Sequence, residues 1–201
     1  MRELKINTER PVVLGGSTHA GEEEILARVF TDVVKKFPNL FLIIVPRHAE
    51  RAREVRRVLE QLGLRIALRS DPPITEQTLD GLLVDSTGEL QNWYGVATAV
   101  FVGKSLTAHG GQNPAEAIAA GKPIIFGPHM ENFAALARTL VAHGGAIQIS
   151  SAAELQQSIV DLLHNAASRE RIVENARKVL DIHRGATART AELIVDLEPK
   201  R

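Results

Sequence analysis

The chain has 201 residues and is 44% hydrophobic, enough for one compact core or at most two small ones. Its 24 basic residues balance its 24 acidic ones, so no long-range field recruits nucleic acid or an anionic membrane surface. With no cysteine, neither a disulfide framework nor a thiolate metal site can form, and no apolar run reaches the roughly 20 residues of a membrane helix. A soluble, cytoplasmic location is the expectation, since the N-terminus MRELKINTERP also lacks the apolar centre of a signal peptide.

Short apolar runs alternate with helical patterns along most of the chain. The runs are 11–14 (PVVL), 40–45 (LFLIIV), 64–68 (LRIAL), 82–84 (LLV), 98–102 (TAVFV), 123–126 (PIIF) and 146–149 (AIQI). They are nearly continuous rather than alternating, the mark of strands buried on both faces. Between the first two, Ile25, Leu26, Val29, Phe30, Val33 and Val34 recur at helical spacing. Glu22, Glu23 and Glu24 open that helix and Lys35 and Lys36 close it, in the order its dipole favours. A second helix places Val55, Val58, Leu59 and Leu62 on one face and stops at Gly63. The segment 69–81, with two prolines and several turn residues, reads as a mobile connection. Beyond Ile149 only helical patterns follow, at 152–164, 168–182 and 186–197. Strand–helix repetition of this kind predicts an α/β, Rossmann-like parallel sheet with helices on both faces and right-handed crossovers.

Open parallel sheets bind ligands at the carboxyl ends of their strands, where this sequence reads GGSTHAG (15–21), PRHAER (46–51), DSTGEL (85–90), GKSLTAHGGQNPAE (103–116) and GPHMEN (127–132). Two phosphate motifs fail there. The G-x-G-x-x-G fingerprint would need glycine where Ser17 or Thr18 stands, and a triphosphate loop ending in Gly103-Lys104-Ser105 would need glycine at Thr98. What remains after the first strand is a glycine pair with Ser17 and Thr18 leading toward a helix. That is either a seat for a single anionic group or an ordinary turn and cap. Arg47 follows the strongest strand and would project over the sheet edge toward a phosphate or carboxylate, whereas Arg51, Arg53, Arg56 and Arg57 read as a solvated helix face. The seven histidines show no pair at metal-ligand spacing within one helix, so no protein-bound metal is expected, and no nucleophile elbow is present.

The stretch GGQNPAEAIAAGKPIIFGP (110–128) parses as a capped helix. Asn113 is the cap, Pro114 is the first helical residue, Glu116 closes a capping box, and Gly121 ends the helix before Pro123. Gly110 and Gly111 imply a close backbone approach. Glu116 serves either the cap or a pair of sugar hydroxyls, and local physics does not separate these.

Taken together, GGSTHAGEEE, PRHAER, DSTGELQNWYGVATAVFVGKSL and GGQNPAEAIAAGKPIIFGPHMENF resemble the C-terminal half of the bacterial 3-deoxy-D-manno-octulosonic acid (Kdo) transferases, over about 11–133. That resemblance implies one half of a two-domain GT-B glycosyltransferase, with the donor CMP-Kdo bound here and a lipid A precursor bound by an N-terminal domain. It implies that Pro46 and Arg47 contact the cytidylate, joined by Thr87, Gly88 and Glu89 and by Asn113, Pro114, Ala115 and Glu116. Gly16 and Ser17 would lie near the donor's phosphate or carboxylate. The donor carries one phosphate, consistent with the failed pyrophosphate motifs, and displacement with inversion needs no cofactor or metal. The family's catalytic base, a glutamate, belongs to the N-terminal half, which this sequence does not contain. CMP binding without transfer is therefore expected, with the full-length enzyme at the cytoplasmic face of the inner membrane. Residues 1–184 would form the donor domain and 185–201 a helical tail packing on the missing domain. A nucleotide-binding regulatory module and the donor domain of a UDP-sugar enzyme are the alternatives.

Overall fold

The computed structural model describes residues 10–71 and 79–183. Each apolar run of the sequence forms a strand: β1 (Val12–Thr18), β2 (Phe41–Pro46), β3 (Ile66–Leu68), β4 (Gly81–Leu83), β5 (Ala99–Val102), β6 (Ile124–Phe126) and β7 (Ile147–Gln148). They make one parallel sheet in the order β3-β4-β2-β1-β5-β6-β7. The helices are α1 (Glu22–Val33), α2 (Ala52–Gln61), α3 (Leu90–Tyr94), α4 (Ala115–Ala119), α5 (Ala134–Ala142), α6 (Ala152–His164) and α7 (Ala166–His183).

The runs are continuous because both sheet faces are covered. Val12 and Leu14 of β1 join a core with Trp93 of α3, Ile118 of α4 and Leu140 of α5. Val13 points the other way, into a core with Leu26 and Phe30 of α1, Val55 and Leu59 of α2 and Leu155 of α6. Each fully buried side chain of this kind contributes about 1.5–3 kcal/mol. Helix α7 serves both layers, placing Val179 in the first core and Ile172 in the second. Gly63 and Gly121 end their helices at φ +83° and +71°, the left-handed geometry expected of them.

Two expected element boundaries are corrected. Strand β1 does not stop at Leu14 but continues through Gly15, Gly16 and Ser17 to Thr18. Gly15 is there for packing, since a Cβ would lie 2.6 Å from the Leu26 side chain, so its absence lets α1 lie close on the strand. Helix α1 ends at Val33, before Lys35 and Lys36, and Lys35 pairs with Asp32 instead of closing the last turn. Within the 69–81 connection, 72–78 lie outside the described residues, as do the expected helix at 186–197 and the 185–201 tail.

The acidic triplet opening α1 does more than complement a dipole. Glu22 is fully buried, and its carboxylate accepts hydrogen bonds from four backbone N–H groups. These are His19 (2.9 Å) at the exit of β1, and Lys104 (2.8 Å), Ser105 (2.9 Å) and Leu106 (3.0 Å) at the exit of β5. Glu23 is buried beside it, accepting from the Thr18 hydroxyl at 3.1 Å and from Arg51 at 3.0 Å. Burial pushes the Glu23 carboxyl above its ordinary value despite Arg51. Arg51 is thus an internal partner rather than part of a solvated face, and Arg56 bonds Glu60 and Asp71.

Glu22→Ala would orphan donors at two strand ends, and we expect it to lower unfolding free energy by at least about 3 kcal/mol in urea titrations. Glu24→Ala, which removes only an exposed pair with Arg28, is expected to change it by less than about 0.5 kcal/mol.

Candidate functional site

The carboxyl ends of β1, β2, β4 and β5 open onto a cleft of about 360 Å³. Its base is Gly16, Val45, Val100 and Val102, where the central strands end. Ser17, the last residue but one of β1, and Lys104, just beyond β5, have φ of +52° and +57°, a left-handed backbone that non-glycine residues adopt at a cost of about 1–3 kcal/mol. The β1–β2 register breaks between Gly16 and Thr18 at the same place, which turns Ser17 into the cleft.

From β2, Pro46 is buried and ends the strand, while Arg47 is exposed on the cleft wall. The Arg47 backbone N–H donates to the Thr18 carbonyl at 3.0 Å, which ties this residue to the exit of β1. Its guanidinium has no partner among the described residues. After β4, Ser86, Thr87 and Gly88 form the next wall. The Ser86 hydroxyl oxygen is buried and unbonded among the described residues. The far wall is Gln112, Asn113 and Glu116.

The β5–α4 segment reaches that wall by a close approach, as its glycines implied. At Gly111, φ is +70° and a Cβ would lie 2.5 Å from the Met130 sulfur. Helix α4 then starts at Ala115 with Pro114 as the capping residue, one position later than expected. The Asn113 side chain still accepts the Ala115 N–H at 3.0 Å. The second half of the capping box does not form. Asn113 alone serves the cap, and Glu116 stays exposed on the cleft with no partner among the described residues.

The cleft therefore gathers Gly16, Ser17, Pro46, Arg47, Thr87, Gly88, Asn113 and Glu116, eight of the eleven residues expected at a ligand site. Glu89 does not line it; its carboxylate faces Arg69 at 3.6 Å just before α3. Pro114 and Ala115 also stand off the cleft, contributing only the start of α4.

Sequence reasoning missed Gln91 and Tyr94, whose cue was their position in the helix directly after the Thr-Gly-Glu turn, and Gln112, adjacent to Asn113. Burial pushes the Tyr94 phenol well up, so it stays protonated and keeps its O–H as a donor. His19 stands outside the cleft lining but behind its wall. It packs edge-on to His48 with ring centroids 5.9 Å apart, and its Nε2 lies 3.4 Å from the Gln112 amide. Burial lowers its pKa, opposed by Glu22 and reinforced by Lys104, His48 and Arg51.

Among known structures, the C-terminal CMP-Kdo binding domain of WaaA from Acinetobacter baumannii superposes with a TM-score of 0.82 at 30% identity, over 86% of this chain and 91% of that domain. The chain belongs to the 3-deoxy-D-manno-octulosonic acid transferase family. A member from Haemophilus influenzae is 37% identical over 92% of the chain, and one from Bordetella pertussis 35% identical over 94%. The chain spans 44% and 45% of the lengths of those two transferases. The model of glycosyl transferases group 1 matches residues 84–179, from the end of β4 to the second half of α7. The sheet and its two helical layers are thus those of the C-terminal half of a GT-B glycosyltransferase.

In this Kdo transferase family member, the lowered His19 pKa gives a pH dependence of definite sign. A folded-state pKa below the ordinary histidine value of 6.5 means the unfolded chain binds more protons, so stability rises with pH through that window and falls on acidification below about 6.5. His19→Gln is expected to flatten the unfolding free energy measured between about pH 7 and 5, without moving the plateau above it.

Proposed function

We propose that the cleft binds the nucleotide sugar CMP-Kdo, and that the chain is the donor half of an inverting glycosyltransferase that passes Kdo to a lipid A precursor in lipopolysaccharide biosynthesis. The carrying observation is the Arg47 guanidinium, which has no partner among the described residues, standing at the sheet edge and facing a cleft whose other walls are Thr87–Gly88 and Asn113–Glu116. One arginine suits one phosphate, because the hydrogen bonds a guanidinium donates to a phosphate are charge-assisted and stronger than neutral ones.

In this reading Arg47 holds the phosphate and stabilises the charge that develops as CMP departs from the anomeric carbon. Glu116, released from the cap, accepts from the ribose hydroxyl pair. Pro46 and the Thr87–Gly88 backbone flank the base, with Glu89 fixing their turn through Arg69. Ser17 and Gly16 lie where the strand exit admits the sugar carboxylate, supported by the retained O–H of Tyr94. Pro114 and Ala115 contribute by setting the start of α4. The reading asks for no metal at the donor phosphate.

Inversion also needs a base that accepts the acceptor's proton. We assign that base, the lipid A precursor site and a location at the cytoplasmic face of the inner membrane to an N-terminal acceptor domain paired with this one. The chain by itself is then a binding module without transferase activity.

Calorimetric titration with CMP, CDP and UDP tests this: CMP is expected to bind more tightly than UDP, and equal or reversed affinities would sink the CMP-Kdo reading. Arg47→Ala should weaken CMP about 10- to 100-fold, the equivalent of one charged hydrogen-bond set, at an unchanged melting temperature. Glu116→Gln should also weaken CMP without moving the melting temperature; a fall in stability with affinity intact would return Glu116 to the cap.

A further inference from the structure

We propose that His109, His129 and Glu131 form a zinc-binding site on the rim of the sheet, separate from the nucleotide cleft. The three come from two loops that the sequence keeps apart. His109 lies between β5 and α4, and His129 and Glu131 lie between β6 and α5. Histidine spacing within a helix gave no hint of a metal site, because the pairing is made across loops.

The geometry is that of a donor triangle. One carboxylate oxygen, Glu131 Oε1, lies 3.1 Å from His109 Nδ1 and 3.3 Å from His129 Nδ1. The potential ligand atoms of the three residues all lie within 4.8 Å of one another. Two ligands bound to zinc at about 2.0–2.2 Å with a tetrahedral angle stand roughly 3.3 Å apart. The two nitrogen–oxygen separations are therefore already close to the edges of a zinc tetrahedron. The imidazole rings sit 3.9 Å apart at 51°, which turns both Nδ1 atoms toward the same oxygen. On metal binding, the N–H protons now shared with Oε1 would move to the outer ring nitrogens, leaving two lone pairs for the ion.

The backbone holds this triangle independently of any ion. Gly110 N–H donates to Glu131 Oε2 at 2.6 Å, fixing the carboxylate plane so that Oε1 faces the histidines. Asn132 N–H donates to the Gly110 carbonyl at 2.9 Å and His129 N–H to the Ser105 carbonyl at 2.9 Å, which locks the two loops in register. Such preorganisation removes much of the ordering cost of binding.

The donor set selects the ion. Two imidazoles and one carboxylate suit zinc, whereas calcium and magnesium prefer oxygen ligands throughout. Three protein ligands leave one coordination position, and the side chains of His109 and Glu131 are 77% and 52% exposed, so that position opens to water. None of the three residues lines the nucleotide cleft. His109 is nevertheless followed directly by Gly110 and Gly111 and then by Gln112 and Asn113 of the cleft wall, so an ion there would brace the segment that forms that wall.

The test is calorimetric titration of the untagged, metal-stripped chain with zinc chloride, with magnesium and calcium chloride as comparisons. One zinc per chain with micromolar affinity is expected, magnesium and calcium giving no saturable binding. Cobalt in place of zinc is expected to give the intense visible absorption of a four-coordinate site. His109→Ala, His129→Ala and Glu131→Ala should each weaken zinc at least tenfold, with circular dichroism showing an unchanged fold. Absence of stoichiometric zinc binding, or binding that survives in the His109→Ala/His129→Ala double variant, would overturn the proposal.

Discussion

A single carboxylate sets the position of the candidate site. At the exits of β1 and β5 the chain leaves the sheet, and its N–H groups no longer have a neighbouring strand to bond. Buried donors of this kind cost free energy unless something accepts from them. Glu22 accepts from four of them at once, reaching from the first turn of α1 to residues up to 84 positions away. The left-handed Lys104 and the compressed turn that follows are held by that contact. Everything downstream as far as Asn113, including the far wall of the cleft, starts from a point Glu22 defines.

The cleft that results is chemically spare. It presents one free cation among the described residues, one unengaged carboxylate on the opposite side, and neutral donors and acceptors between them. That balance fits a ligand with a single phosphate and several hydroxyls better than one with a pyrophosphate, whose extra charge would call for a glycine-rich anion nest or a second cation. The local strain at Ser17 and Lys104 lies at the two strand ends that border this space, as strained backbone tends to do where a ligand must be approached closely.

The sheet was legible because continuous apolar runs can be satisfied only by burial on both faces. The resemblance motifs were legible because most of them fall at strand exits, which the cleft then brings together. What stayed hidden depended on contacts between distant segments. Gly15 and Gly16 read as a turn, although both lie in the strand and Gly15 lets a helix pack on it, because glycine signals both. Glu22 and Glu23 read as helix-dipole residues, although they point inward, because local spacing cannot distinguish a solvated carboxylate from one surrounded by backbone N–H groups. Arg51 was misplaced for the same reason, its partner lying 28 residues earlier. The capping box at Asn113–Glu116 was half right, since a helix starting one residue later moves Glu116 out of reach of the cap.

The strand order has a consequence for how the two parts of the molecule stay together. Strands β3, β4, β2 and β1 come from one continuous stretch of chain and β5, β6 and β7 from the next, so within the sheet the stretches meet only where β1 pairs with β5. The cleft straddles that seam, with Ser17 and Arg47 on one side and Asn113 and Glu116 on the other. A bound nucleotide would act as a reversible cross-link between the two stretches, adding the free energy of its own binding to the contacts they already share in both cores. Occupancy would then be reported far from the ligand, as slower hydrogen exchange at the β1–β5 amides.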